Sequence, residues 1–136
     1  MKKTFVKPGS MIVICLLLAS EALVSGLPGR PRVPAVAQSE TRCGWFSNPT
    51  PANASLHDRE GEWIIGVQGG YQADGDWPNF KAGQWVKTNG NYGHGCACLR
   101  LRVNRETNRV VEIESARARP LSACRRDRSL KRWGFK

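Results

Sequence analysis

Cys98-Leu99-Arg100-Leu101-Arg102-Val103 alternates apolar and charged residues. Beyond the polar stretch Arg105-Glu106-Thr107-Asn108-Arg109, the segment Val110-Val111-Glu112-Ile113-Glu114-Ser115 alternates again. Alternation is the period of a strand with one buried face, and two such strands across a polar turn make a hairpin. Pairing Leu101 with Ile113 and Val103 with Val111 places all four on the core side. The same register sets Arg102 against Glu112 and Arg100 against Glu114 on the other side. Each cross-strand pair contributes roughly 0.2–1 kcal/mol. A slip by one residue would bury the charges, so the pattern fixes its own register.

Further strands extend outward from this hairpin. Glu62 to Gln68 and Gln84 to Thr88 are rich in aromatic and β-branched residues, and Asn89-Gly90 after the second is a hairpin turn signal. Cys43-Gly44-Trp45-Phe46 suits a strand entering the core, whereas Asn48-Pro49-Thr50-Pro51 predicts a loop. Gly93 and Gly95 allow a tight bend or a close backbone approach. Pro120 suits the first turn of a short helix from Leu121 to about Leu130. The fold expected is all-β, a small barrel or sandwich of short antiparallel strands with a short C-terminal helix, stapled by disulfides. Its globular domain spans 42–130. The basic aromatic tail 131–136 is expected to fray or to lie on an anionic membrane surface.

The N-terminus reads as a targeting segment. Lys2, Lys3 and Lys7 precede the apolar run Met11 to Ala19, which matches a signal-peptide core and falls short of the ~20 residues of a membrane span. Cleavage is expected after Ala22, with Ala35-Val36-Ala37 as the later alternative. Residues 23–41, with Pro28, Pro31 and Pro34, form a linker. The expected setting is the periplasm or the exterior of a bacterium, with no membrane span after cleavage. There, Cys43, Cys96, Cys98 and Cys124 imply two disulfides. Cys96 with Cys98 is the disfavoured pairing, because neighbouring same-face positions of a strand are poorly placed to bond. Cys43 takes one of them and Cys124 the other; which takes which is open. Both lie on the arginine side of the strand. Either the C-terminal segment covers that side, the reading preferred for Cys98, or a bulge near the glycines flips the parity.

Charge is lopsided. Residues 38–99 carry four Lys or Arg and six Asp or Glu, whereas 100–136 carry twelve and four. Such a field attracts polyanions. For an exported protein this points to anionic envelope glycan or lipid, or to a protein, and not to nucleic acid. Most charge runs are solvated faces that only aid solubility.

Motifs for chemistry are sparse, and neither catalytic residues nor cofactors are assigned. His94, Cys96 and Cys98 are the one cluster of soft ligands, but the spacing fits no zinc motif and Cys-x-Cys on a strand lacks the low-pKa geometry of a redox pair. Asp74-Gly75-Asp76 lacks the rest of a calcium loop. Ser55, His57 and Asp58 are adjacent, which is not triad geometry. Asp58, Glu60 and Glu62 read as a solvated acidic face. Asn53-Ala54-Ser55 matches a glycosylation acceptor by chance. Trp63 and Trp85 lie in strand-like runs and read as core. Tyr71, Trp77 and Tyr92 lie in Gly-, Asn- and Asp-rich loops. With Arg100 and Arg102 they are the candidate binding residues.

Arg42-Cys43-Gly44-Trp45-Phe46, Asn48-Pro49-Thr50-Pro51, Gln68-Gly69-Gly70, Trp77-Pro78 and Tyr92-Gly93 leading to Gly95-Cys96-Ala97-Cys98-Leu99 resemble a family of small exported bacterial proteins, domain of unknown function 4087. The resemblance covers about Arg42 to Leu130. It implies a periplasmic or secreted setting and brings no activity. The reading is a non-enzymatic binding module for an envelope component or protein partner, one version being an inhibitor of a hydrolase. The alternative is a metal-binding or thiol-redox protein using His94, Cys96 and Cys98.

Overall fold

A computed structural model of the protein describes residues 38–136. The expected leader and most of the linker lie outside the described residues. The elements are β1 (Ser39–Thr50), β2 (Asn53–His57), β3 (Glu62–Gly66), β4 (Asp74–Gly75), β5 (Trp85–Asn89), β6 (Tyr92–Asn104), β7 (Arg109–Arg119), α1 (Leu121–Arg126) and a 3-10 segment, Arg128–Trp133.

The structure is mostly β. β6 is its spine. One edge is taken by β1, from Ser39 opposite Arg102 to Asn48 opposite Gly93. The other edge is shared in tandem: β5 pairs with its first residues and β7 with the rest. β7 also reaches β3 through a parallel contact at Ile64 and Arg109, where Ile64 N donates to Asn108 O at 2.8 Å. Strands β1, β2, β3, β7 and β6 therefore form a closed hydrogen-bonded circuit. Two features depart from the expected short antiparallel strands. β1, β6 and β7 are long, and β3 and β4 both pair with β7 in parallel.

The main core holds Phe46, Leu56, Trp63, Ile65, Ala97, Leu99, Leu101, Val103, Val110 and Ile113. Leu101 faces Ile113 and Arg102 faces Glu112, as the alternation requires. Two expected pairs fail. Val103 faces Val110, which is buried, leaving Val111 38% exposed, and Arg100 faces Ser115 in place of Glu114. The cause is local. Asn104 Oδ1 accepts from Glu106 N and Thr107 N, and Asn108 takes φ 52, so the turn tightens until Asn104 pairs with Arg109. Register shifts on either side of the Leu101–Arg102 pair absorb the difference, which is what a bulge does.

A second cluster lies on the opposite face of β1 and β6. Trp45, Cys96, Cys124 and Leu130 are buried there beneath Leu121, Trp133 and Phe135. The C-terminal segment thus covers the face that alternation had turned away from the core. It does so around Cys96, which bonds Cys124, while Cys98 bonds its cross-strand partner Cys43.

The expected single helix to Leu130 is two pieces. Asp127 is extended (ψ 111), and its side chain accepts from Ser129 N at 2.9 Å, which caps the 3-10 segment. Nor does the tail fray. Trp133 Nε1 donates to Asp58 O at 2.8 Å, and the Phe135 ring lies 4.8 Å from His94 and 5.0 Å from His57.

β2 has no counterpart among the expected strands. β1 runs on through Asn48-Pro49-Thr50, which had read as a loop, and Ala52 at φ 58 turns the chain straight back.

Candidate functional site

The inner face of β1 carries, by alternation, Glu40, Arg42, Gly44, Phe46 and Asn48. It is ionic at one end and aromatic at the other.

The aromatic end is a cleft. Gly95 of β6 faces inward, and a Cβ there would strike the Phe80 ring and come within 2.7 Å of Gln84 O. A Cβ on Gly93 would strike Val86 O. Both positions must therefore stay bare for β5 and the loop before it to settle against β6. Phe80 packs 4.9 Å from Trp85 and 5.9 Å from Phe46, and Trp77 lies edge-on 5.6 Å from Phe46. The rings border an open cavity of about 490 Å³ whose wall also includes Asn48, Lys81 and Lys87. Trp85 is held by its Nε1 donating to Asn91 O at 3.1 Å, and Lys87 Nζ donates to Asn91 Oδ1 at 3.0 Å. The lining carries no carboxylate, histidine, hydroxyl or thiol. Its chemistry is stacking and apolar contact, with two ammonium groups at the rim for an anionic substituent.

Of the residues singled out from sequence, Trp77 lines this cleft and the others do not. Tyr71 is half-buried, its hydroxyl donates to Val110 O at 2.5 Å, and burial raises its pKa. Tyr92 is half-buried where β6 begins. Arg100 and Arg102 lie on the outer face, paired with Glu114 at 2.9 Å and with Glu112. His94 is buried, with Nε2 3.2 Å from Lys136 O. Cys96 and Cys98 are both in disulfides, so the cluster offers no thiolate. Phe46, Phe80 and Trp85 are the functional candidates that sequence reasoning missed. Phe80 stood in the same aromatic run as Trp77, whereas Phe46 and Trp85 come from other elements.

A second cavity, about 420 Å³, lies beside Ser55, His57, Glu62 and Phe135. Ser55 Oγ is 2.9 Å from His57 Nε2, and Glu62 Oε1 is 3.9 Å from that same nitrogen. Burial pushes the His57 pKa down against the opposing pull of Glu62. An activating carboxylate belongs on the imidazole nitrogen opposite the serine. Here serine and carboxylate share one nitrogen, and Nδ1 is buried without a partner among the described residues. The arrangement is not that of a hydrolytic triad.

At the ionic end Glu60 and Glu62 are exposed, as a solvated acidic face requires, whereas Asp58 is not. Asp58 is 3% exposed and bound to Arg42, and Arg42 also meets Glu60 and Glu40. The Arg42 guanidinium stacks 3.9 Å over Trp63.

No curated protein and no solved structure matches this chain. A family model does match, over residues 37–131, and the chain belongs to that family, described as protein of unknown function, DUF4087.

Proposed function

We propose that the protein is an exported, non-enzymatic binding module whose ligand seats in the cleft of Trp77, Phe80 and Trp85. The observation that carries this reading is the convergence of four aromatic side chains, Phe46, Trp77, Phe80 and Trp85, and two lysines on an open cavity with no acid, base or nucleophile except those lysines. The ligand class that fits presents a sugar ring or apolar side chain to the indoles and a carboxylate to Lys81 and Lys87. Two disulfides are compatible with a periplasmic or secreted setting, and no helix among the described residues is long and apolar enough to cross a membrane. The closed circuit of five strands supports a small barrel over a sandwich, with the cleft at one mouth.

The test is a titration of the purified mature protein with soluble peptidoglycan fragments, which carry both sugar rings and carboxylates, followed by tryptophan fluorescence. A saturable change that Trp77→Ala abolishes while the fold persists supports the cleft. No change, or one that survives Trp77→Ala, overturns it.

A further inference from the structure

The excess of positive charge in the C-terminal third is not where the alternating hairpin put it. Arg100 and Arg102 are neutralised by Glu114 and Glu112 across the strand pair. Arg105 meets Glu40 and Glu60. Five other arginines are differently placed. Arg117, Arg119, Arg125, Arg126 and Arg128 are all exposed, and none makes an ion pair or a side-chain hydrogen bond among the described residues.

The topology gathers them. Arg117 stands opposite Cys98 and Arg119 opposite Cys96, so both project on the outer face of the sheet. Same-face strand neighbours are roughly 6.6 Å apart along the chain. Pro120 follows at once, and Cys96 bonds Cys124, which pins α1 with Arg125 and Arg126 beside that strand end. Asp127 bonds the Ser129 backbone and hydroxyl and makes no ion pair with these arginines, and its single negative charge leaves the five-arginine face strongly positive. Unpaired guanidinium groups held on a stapled platform keep their full affinity for planar anions.

We propose that Arg117, Arg119, Arg125, Arg126 and Arg128 form a docking face for an acidic polysaccharide chain. The choice among polyanions follows from what the face lacks. The exposed large hydrophobic residues among the described ones are Val67 and Val111, and neither lies in 117–128. A lipid surface would have nothing there to insert around. The same segment carries no aromatic ring on which a nucleic-acid base could stack. What remains is a repeating negative charge without acyl chains or bases. The face is separate from the cleft and does not depend on it.

The experiment measures binding of the oxidised full mature chain to polygalacturonate at low and at moderate salt. Arg117→Gln/Arg119→Gln/Arg125→Gln/Arg126→Gln is expected to weaken binding by roughly tenfold or more and to flatten its salt dependence. Arg100→Gln/Arg102→Gln, which removes arginines already paired, is expected to cost under about threefold. The comparison is made in the Trp77→Ala background, so that a sugar carboxylate taken up by the cleft does not contribute, which separates the face from the cleft. Should the quadruple variant misfold, the single variants Arg119→Gln and Arg126→Gln provide the same comparison. Equal losses in the paired and unpaired arginine variants overturn the face. Tighter binding to phosphatidylglycerol vesicles or to single-stranded DNA than to polygalacturonate overturns the occupant.

Discussion

Arg42 Nη1 donates to Asp58 Oδ2 at 2.5 Å, and each side chain is 4% exposed. A buried ion pair is not an automatic gain, because both charges leave water, but breaking one strands the other. Here the geometry is well supplied. Asp58 Oδ1 also accepts from Glu60 N at 2.7 Å and Gly61 N at 2.9 Å, and Trp63 covers the guanidinium. Arg42→Met, which leaves Asp58 buried without its cation, is expected to cost about 3–5 kcal/mol. Arg42→Met with Asp58→Leu should recover much of that loss, because no buried charge is then left unpaired. Chemical denaturation of the three proteins measures both values. A single variant as stable as the parent would mean that the pair contributes nothing.

The same pair sets an acid limit. Burial alone would raise the Asp58 carboxyl, but the Arg42 guanidinium and the backbone N–H groups of Gly61 and Glu60 outweigh it and hold the pKa below the ordinary value. A depressed carboxyl stabilises the fold above its unfolded pKa, and the contribution disappears as pH falls through the folded one. Stability should therefore drop below about pH 4, and Asp58→Asn should make that drop shallower. Urea midpoints from pH 6 to pH 2 follow it.

Much of this architecture was legible in the chain because it is local. Alternation through 98–103 and 110–115 is a property of neighbouring residues, and it set the facing of Leu101 and Ile113 and the salt bridge of Arg102 with Glu112. The failure at Val111 is also local: an asparagine-capped turn and its bulges are worth less in periodicity than in hydrogen bonds. β2 stayed hidden because two prolines flank Thr50 and because its apolar content is only Ala54 and Leu56. The cleft assembles Phe46 from β1, Trp77 and Phe80 from a loop and Trp85 from β5, and no window of sequence contains that meeting. The covering of Trp45 by Phe135 joins opposite ends of the domain for the same reason.

His57 provides a pH dependence of the opposite kind. Its ring sits 4.8 Å from Trp133 and 5.0 Å from Phe135, and burial lowers its pKa from the ordinary imidazole value, with Glu62 opposing. For a histidine whose folded pKa is lowered, the unfolded chain takes up the proton first, so stability falls as pH drops below about 6.5. His57→Phe, which keeps a ring in the stack, should flatten stability between pH 7.5 and pH 5. Deleting residues 133–136 should flatten it too, because the imidazole then regains solvent. Unfolding midpoints at the two pH values decide it; an unchanged slope in both variants would assign the dependence to another group.

The two disulfides should differ in lability. Cys43 is exposed and Cys98 half-buried, whereas Cys96 and Cys124 are 2% and 4% exposed. Attack by an external thiolate needs access, so mild reduction of the native protein should open Cys43–Cys98 first. Alkylation and peptide mass mapping would show it, and labelling of Cys96 or Cys124 ahead of Cys43 would contradict it. By loop closure alone the outer bridge, at a sequence separation of 55, contributes slightly more, and the inner bridge is set apart by tying α1 to β6. Its ring spans a sequence separation of 28, and closing such a loop is worth on the order of 3–4 kcal/mol in the chain-entropy account. Cys96→Ala/Cys124→Ala should also loosen α1 and the tail and bring the Trp45 indole toward water, which shows as a red shift in its emission.

Gly95 is the position at which stability and ligand binding can be tested together. Its missing side chain leaves the space that the Phe80 ring fills, and Gln84 O closes the same space from β5's side at 2.7 Å from where a Cβ would stand. Gly95→Ala must push Phe80 away from Trp85 and into the cavity. Overpacking of this kind typically costs about 1–3 kcal/mol, and here the displaced ring also narrows the cleft. The expected outcome is a folded protein, its melting temperature lowered, that has lost the fluorescence response to peptidoglycan fragments while its polygalacturonate binding persists. Phe80→Leu in the Gly95→Ala background, by removing the obstructing ring, should restore part of the stability. It should not restore the response, because the stacking surface between Trp85 and Phe46 is gone. Recovery of both together would show that Gly95 acts on the backbone of β6 and not through the aromatic cleft.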